Sequence, residues 1–254
     1  ADPSLFGIHA GAAVGAAIGP LLWSLIVAMG QTRFPPFVGQ WFNVFTALCG
    51  ALGVLAVIVL LARSACRGMS LLVAGVMISF LLSSVLALIA YYSTADGLRS
   101  FQLWTMGNFS TGRARLPLFA LALGLPLGYC LRRHAALDAW LLGEDYAVTL
   151  GVSPRKSRSR LLFAVGWISA CTTAFCGPIA FIGLAAPHLA RLLCGTSLHR
   201  YVLPTTLGVG AVLTLSCQLL CSLPFTGGNL PLNAVTPLIG APIVLWLLTR
   251  QSTP

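Results

Sequence analysis

The chain has 254 residues, of which 57% are hydrophobic and only 8% charged, and its mean hydropathy is +0.91. A soluble domain is about a quarter charged, and no water-soluble fold of this length could hide so much apolar surface, so a soluble protein is excluded. The formal net charge of +10 reads as an excess of Lys and Arg on cytoplasmic loops rather than as a nucleic-acid footprint.

Strand-like alternation is absent and the apolar runs reach about 20 residues, the length of a spanning helix rather than a barrel strand. The predicted fold class is an all-α, polytopic transmembrane helical bundle. Eight spans are predicted, at roughly 7–29, 41–62, 70–92, 116–131, 161–177, 179–194, 203–223 and 232–249.

The first span carries Gly7, Gly11, Gly15 and Gly19 at intervals of four, on one helix face. Small residues at that spacing let helices approach closely; a glycine-lined substrate path is the alternative reading. The second and third spans are joined by the short loop RSACRGMS at 63–70.

Between the fourth and fifth spans stands LDAWLLGEDYAVTLGVSPRKSRSR, residues 137–160. It holds Asp138, Glu144 and Asp145, three of only five acidic residues, and Lys156, the only lysine. Asp138 is expected to cap a short helix over 139–142, and Gly143 to break it. Glu144 and Asp145 then open a second short helix, where the dipole favours negative charge. Gly151 suits the end of that helix, and Ser153-Pro154 the start of the next span. Leu142 and Leu150 offer apolar anchors. Such a helix pair could lie on lipid or serve as a platform for another protein, and the residues alone leave both open.

The region 161–194 could be one long helix or two shorter ones broken at Gly177-Pro178. Charge decides for two. The arginines before it, Arg155 to Arg160, and those after it, Arg191 and Arg200, share one side only if the chain crosses twice between them. Arg63, Arg67, Arg132, Arg133, Arg155, Lys156, Arg158, Arg160, Arg191, Arg200 and Arg250 then face the cytoplasm. Only Arg33, Arg99, Arg113 and Arg115 face outward. That is a clear positive-inside bias, and it places both ends of the chain in the cytoplasm. Within the second of these helices, Pro187 and Arg191 flank His188 and read as a helix start and end.

No G-x-x-x-x-G-K-[ST] occurs, so the chain has no P-loop for ATP. No acid lies inside a span, where a proton- or sodium-coupled carrier usually keeps one. There is no nucleophile–base pair and no metal-ligand cluster, so neither an enzyme nor a resident cofactor is expected. The eight cysteines, at 49, 66, 130, 171, 176, 194, 217 and 221, read as small packing residues. A transport path without an energy source of its own needs a partner; a secondary carrier working alone is the alternative.

The segments LGEDYAVTLGV, CGPIAFIGLAAPHLARLLCG and LPLNAVTPLIGAPIVLWLL, together with ADPSLFGIHAGAAVGA and LRSFQLWTMGNF, resemble the FecCD-type permeases of ABC importers for iron–siderophore complexes, haem and cobalamin. The likeness covers essentially the whole chain, in order. It implies a single permease domain over 1–254, ten helices in the full family, and a homodimer or pseudo-dimer around one central path in the bacterial inner membrane. It implies two cytoplasmic ATPase subunits, which use ATP and Mg²⁺, and a periplasmic or lipid-anchored binding protein that delivers the substrate, foremost a ferric siderophore. By resemblance, residues 138–151 are coupling helices that fit a groove on the ATPase, with Leu142, Gly143, Glu144, Leu150 and Gly151 as contact or turn residues. The loop with Arg67, Gly68 and Met69 matches the cytoplasmic gate, although an ordinary tight loop would read the same way. The family has two further helices before the segment matching ADPSLFGI, and arginines there help dock the binding protein. The span at 203–223 often carries an Asp and an Arg four residues later, where this chain has Gln218 and Ser222. Arg33, Arg99, Arg113 and Arg115 remain as candidates for docking the binding protein.

Overall fold

The computed structural model describes residues 7–30, 36–63, 69–93, 95–109, 116–150, 154–223 and 230–251. Within them the chain forms α1 (Ile8–Gly30), α2 (Pro36–Arg63), α3 (Met69–Tyr92), α4 (Ala95–Thr105), α5 (Leu116–Arg132), α6 (His134–Leu141), α7 (Glu144–Thr149), α8 (Pro154–Cys176), α9 (Ile182–Cys194), α10 (His199–Cys221) and α11 (Leu232–Gln251). The fold is all-α, and eight of these helices coincide with the eight apolar segments. Among the described residues, four stretches are long and apolar enough to cross a membrane, at Trp41–Ala62, Met69–Tyr92, Ser157–Cys176 and His199–Cys221. The region 161–194 is indeed two helices. α8 stops at Cys176, Gly177 takes φ +80°, and α9 begins at Ile182. Pro187 lies inside α9 instead of starting it. The helix starts five residues earlier, at Ile182, after Phe181, which holds φ +68° at the N-cap.

The helices fall into two compact units. One comprises residues 3–123 and 165–178, the other mainly 124–164 and 179–254. In the first unit, α1 lies against α2 along the glycine face. A Cβ on Gly11 would stand 2.6 Å from the Gly50 carbonyl oxygen, and one on Gly15 would collide with the Thr46 carbonyl. Gly50 meets Gly11 in the same way from the other helix. Small residues complete the seam. Ile8, Ala12, Ala51, Leu55, Val59 and Ala170 form one buried cluster, and Ala16, Ala47 and Ala174 a second. In lipid, apolar side chains gain nothing by leaving the solvent, so close backbone approach and dispersion carry the association. The stripe is therefore a packing face.

This gives a sharp contrast between two glycines. Gly15→Ala pushes a methyl group into backbone of α2, and overpacking of this kind costs typically about 1–3 kcal/mol. Gly53 has nothing within 4 Å of its added Cβ. We expect Gly15→Ala to lower the thermal unfolding midpoint of the detergent-purified protein and Gly53→Ala to leave it unchanged. Equal midpoints for the two variants would remove the glycine face as a source of stability.

In the second unit, α9, α10 and α11 pack together, with α6 against α10 and α7. Gly240 on α11 lets that helix close on Phe181, since a Cβ there would lie 2.7 Å from the Phe181 Cβ. The Ala180 N–H donates to Asn233 Oδ1 at 3.4 Å. Gly195 ends α9 in the left-handed conformation, φ +61°, with its N–H bonded to the Arg191 carbonyl. Glycine takes that conformation without a steric penalty.

Candidate functional site

The charged stretch folds as the two short helices α6 and α7, joined through Leu142 and Gly143. Gly143 adopts φ +114° and ψ 157°, a region essentially closed to residues with a side chain. Its carbonyl accepts the Ala147 N–H and so starts α7. Glu144 and Asp145 occupy the first positions of α7, as expected from the dipole. α7 ends at Thr149, and Gly151, the expected terminator, lies outside the described residues.

One expectation is overturned. Asp138 does not cap a helix over 139–142, because α6 runs from His134 to Leu141 and Asp138 is inside it. The helix begins earlier because Arg133 supplies its N-cap, and the Arg133 carbonyl accepts the Leu137 N–H. The Asp138 carboxylate is thereby free to act at a distance. Its Oδ1 accepts the His199 backbone N–H at 2.7 Å and a second bond from His199 Nδ1 at 2.8 Å. A carboxylate can only accept, so Nδ1 carries the proton. Asp138 thus caps α10, whose own N-cap residue, Leu198, has no side chain that could do so. Partial desolvation pushes the carboxyl pKa up. The His199 backbone and ring bonds and the nearby His199 and His134 outweigh it, and the net shift is downward. The bond's contribution is then complete above the ordinary carboxylate range and is lost only as pH falls through the lowered value.

His199 is the residue that sequence reasoning missed. It stands 61 positions from Asp138. The available signal was a helix start preceded by leucine, which left α10 without a local cap.

The remaining surface of the pair is apolar and open. Leu142 is 67% exposed and Leu150 is 58% exposed, and Leu141, Tyr146 and Val148 are exposed beside them. Ala139 and Ala147 point the other way and are buried. The inner side of the pair thus carries Ala139 and Ala147 with the half-buried Leu137 and Trp140, and the outer side carries the large exposed residues as an apolar knob.

Of the other candidate positions, Met69 is the first residue of α3 and is 75% exposed. Arg99 is exposed on α4. Arg33, Arg67, Gly68, Arg113 and Arg115 lie outside the described residues. No disulfide joins the seven described cysteines, and no group of three or more metal-ligating side chains exists among the described residues.

The model of the FecCD transport family matches residues 1–250. The chain belongs to the FecCD transport family. This FecCD permease is 32% identical over 255 residues to the vitamin B12 import system permease protein BtuC of Salmonella typhi, covering 99% of the chain and 74% of that protein. It is 34% identical to the Klebsiella pneumoniae protein of the same name, with 99% and 72% coverage. A solved metal-chelate type ABC transporter in an inward-facing conformation superposes with a TM-score of 0.83 at 28% identity, over 98% of this chain and 76% of that one. The FecCD permease is a multi-pass transport subunit of an ABC importer, and ATP hydrolysis belongs to a separate subunit.

Proposed function

We propose that the chain forms the membrane path of an importer for a bulky metal chelate, driven by an ATPase that seats on α6 and α7. The observation that carries this reading is the exposed apolar knob of Leu142, Tyr146 and Leu150 around the Gly143 hinge. Two permease copies, or one copy and a close relative, would enclose the path. Two ATPase subunits would sit beneath it, and a binding protein would deliver substrate from the other side, with Arg33, Arg99, Arg113 and Arg115 as its contacts.

Cobalamin and ferric siderophores are both metal chelates. The relatives named for vitamin B12 support the first, and the resemblance of the chain's motifs to the wider permease class keeps the second in view. Uptake of radiolabelled cyanocobalamin and of a ferric hydroxamate, in cells whose own permeases are deleted and which carry this permease with its ATPase and binding protein, separates the two. Accumulation of neither, nor of haem in the same cells, would overturn the chelate reading.

The positive-inside bias supports a cytoplasmic location for α6 and α7. Thiol labelling of single-cysteine variants should mark 31–40 and 94–114 from outside, and 63–69, 132–160 and 195–201 only from the cytoplasm. Labelling of 132–160 from outside would remove the docking surface from the reach of any ATPase.

A further inference from the structure

We propose that Asp138 is a positioning residue: by capping α10 from within α6, it makes the cytoplasmic helix pair and this membrane helix move as one body. The inference rests on the reading that α6 and α7 dock the ATPase, and it concerns what happens to a push once it has arrived.

The fully buried contacts of the helix pair are small. Leu141, Leu142, Tyr146, Val148 and Leu150 are exposed, Leu137 and Trp140 are half-buried, and only Ala139 and Ala147 are fully buried. Alanine contacts give close approach but small dispersion energy. Beside these contacts, one carboxylate oxygen takes two short bonds from the first residue of α10. Both are charge-assisted, and the negative charge sits at the positive end of a 23-residue helix. The loop before α10 does not compete. Thr196 Oγ1 accepts only the Leu198 N–H, at 3.3 Å, and Leu198 offers no acceptor in its side chain. The first residue of α10 is thus tied to α6, so a displacement of α6 is applied at the very end of that helix. A helix is stiff along its length, so the displacement is carried into the membrane rather than absorbed.

The test places nitroxide labels at Ala135 on α6 and Tyr201 on α10 in the full permease assembled with its ATPase. Distances are read without nucleotide and with ATP plus vanadate. The unsubstituted protein is expected to give the same single narrow distance in both states. Asp138→Ala is expected to broaden the distribution at least twofold and to shift it with nucleotide, while ATPase copurification and ATP hydrolysis stay within twofold. Asp138→Asn keeps an acceptor for the His199 N–H and is expected to restore the narrow distance. A role limited to folding would instead lower the amount of permease in the membrane and leave the surviving molecules with the original distance. An unchanged distance in Asp138→Ala overturns the proposal. Failure of the docking reading looks different: no ATPase copurifies even with the unsubstituted permease. In that case the nucleotide-free widths still decide whether Asp138 holds α6 to α10.

Discussion

Gly143→Val combined with Glu144→Arg is expected to reduce copurification of the ATPase at least tenfold and to reduce substrate uptake with it. Gly143 holds φ +114° with open space around it, so a side chain there meets no neighbour but cannot adopt the backbone. The strain is about 1 kcal/mol or more, and the turn between α6 and α7 must reopen to relieve it. Glu144 is the first residue of α7. Reversing its charge sets a cation against the positive end of the helix dipole and reverses the charge presented to the proposed ATPase. A small interface loses affinity quickly when its anchors are re-aimed, and about 1.4 kcal/mol is already tenfold. Membrane insertion should be normal, because both positions lie outside the spans. Binding of the external binding protein should change less than twofold. The measurement is copurification from detergent extracts beside uptake in whole cells. Undiminished copurification in the double variant would leave α6 and α7 as helices resting on lipid.

The second large effect is expected at the start of α3. Met69 is exposed, and the loop before it resembles the gate of the family's path. Methionine is a pliable apolar plug that can close a narrow passage and yield again. In a Cys66→Ser background, Met69→Cys should cross-link to its copy in the partner permease under mild oxidation. Uptake should then fall more than tenfold while ATP hydrolysis continues, and dithiothreitol should restore uptake. A gate that is held shut blocks the cargo but not the motor. Efficient cross-linking with full uptake would show that residue 69 lies off the path. A parallel fall in ATP hydrolysis would place the block in the motor instead.

The helices were legible because their signals are local. Apolar runs of about 20 residues, Pro154 at a helix start and the break at Gly177-Pro178 are properties of neighbouring residues, and a membrane-spanning backbone has to satisfy its own hydrogen bonds within each segment. The glycine face of α1 was legible for the same reason, since a period of four on a helix puts Gly11, Gly15 and Gly19 on one side whatever lies opposite. Pro187 misled, because a proline inside a helix leaves a gap that neighbouring helices can cover in a membrane protein. Asp138 misled more deeply. Read alone, an acid before an apolar stretch is a local cap. In the folded chain it sits mid-helix and reaches the N–H and ring of His199. No pattern of neighbours encodes a bond between residues 61 positions apart. The sequence by itself determined the all-α membrane class, the eight apolar helices and the hinge at Gly143, because these follow from hydropathy, backbone sterics and short-range capping. Only the tertiary structure decided which helix the Asp138 carboxylate would cap, since that choice depends on α10 bringing an uncapped end within 3 Å of it.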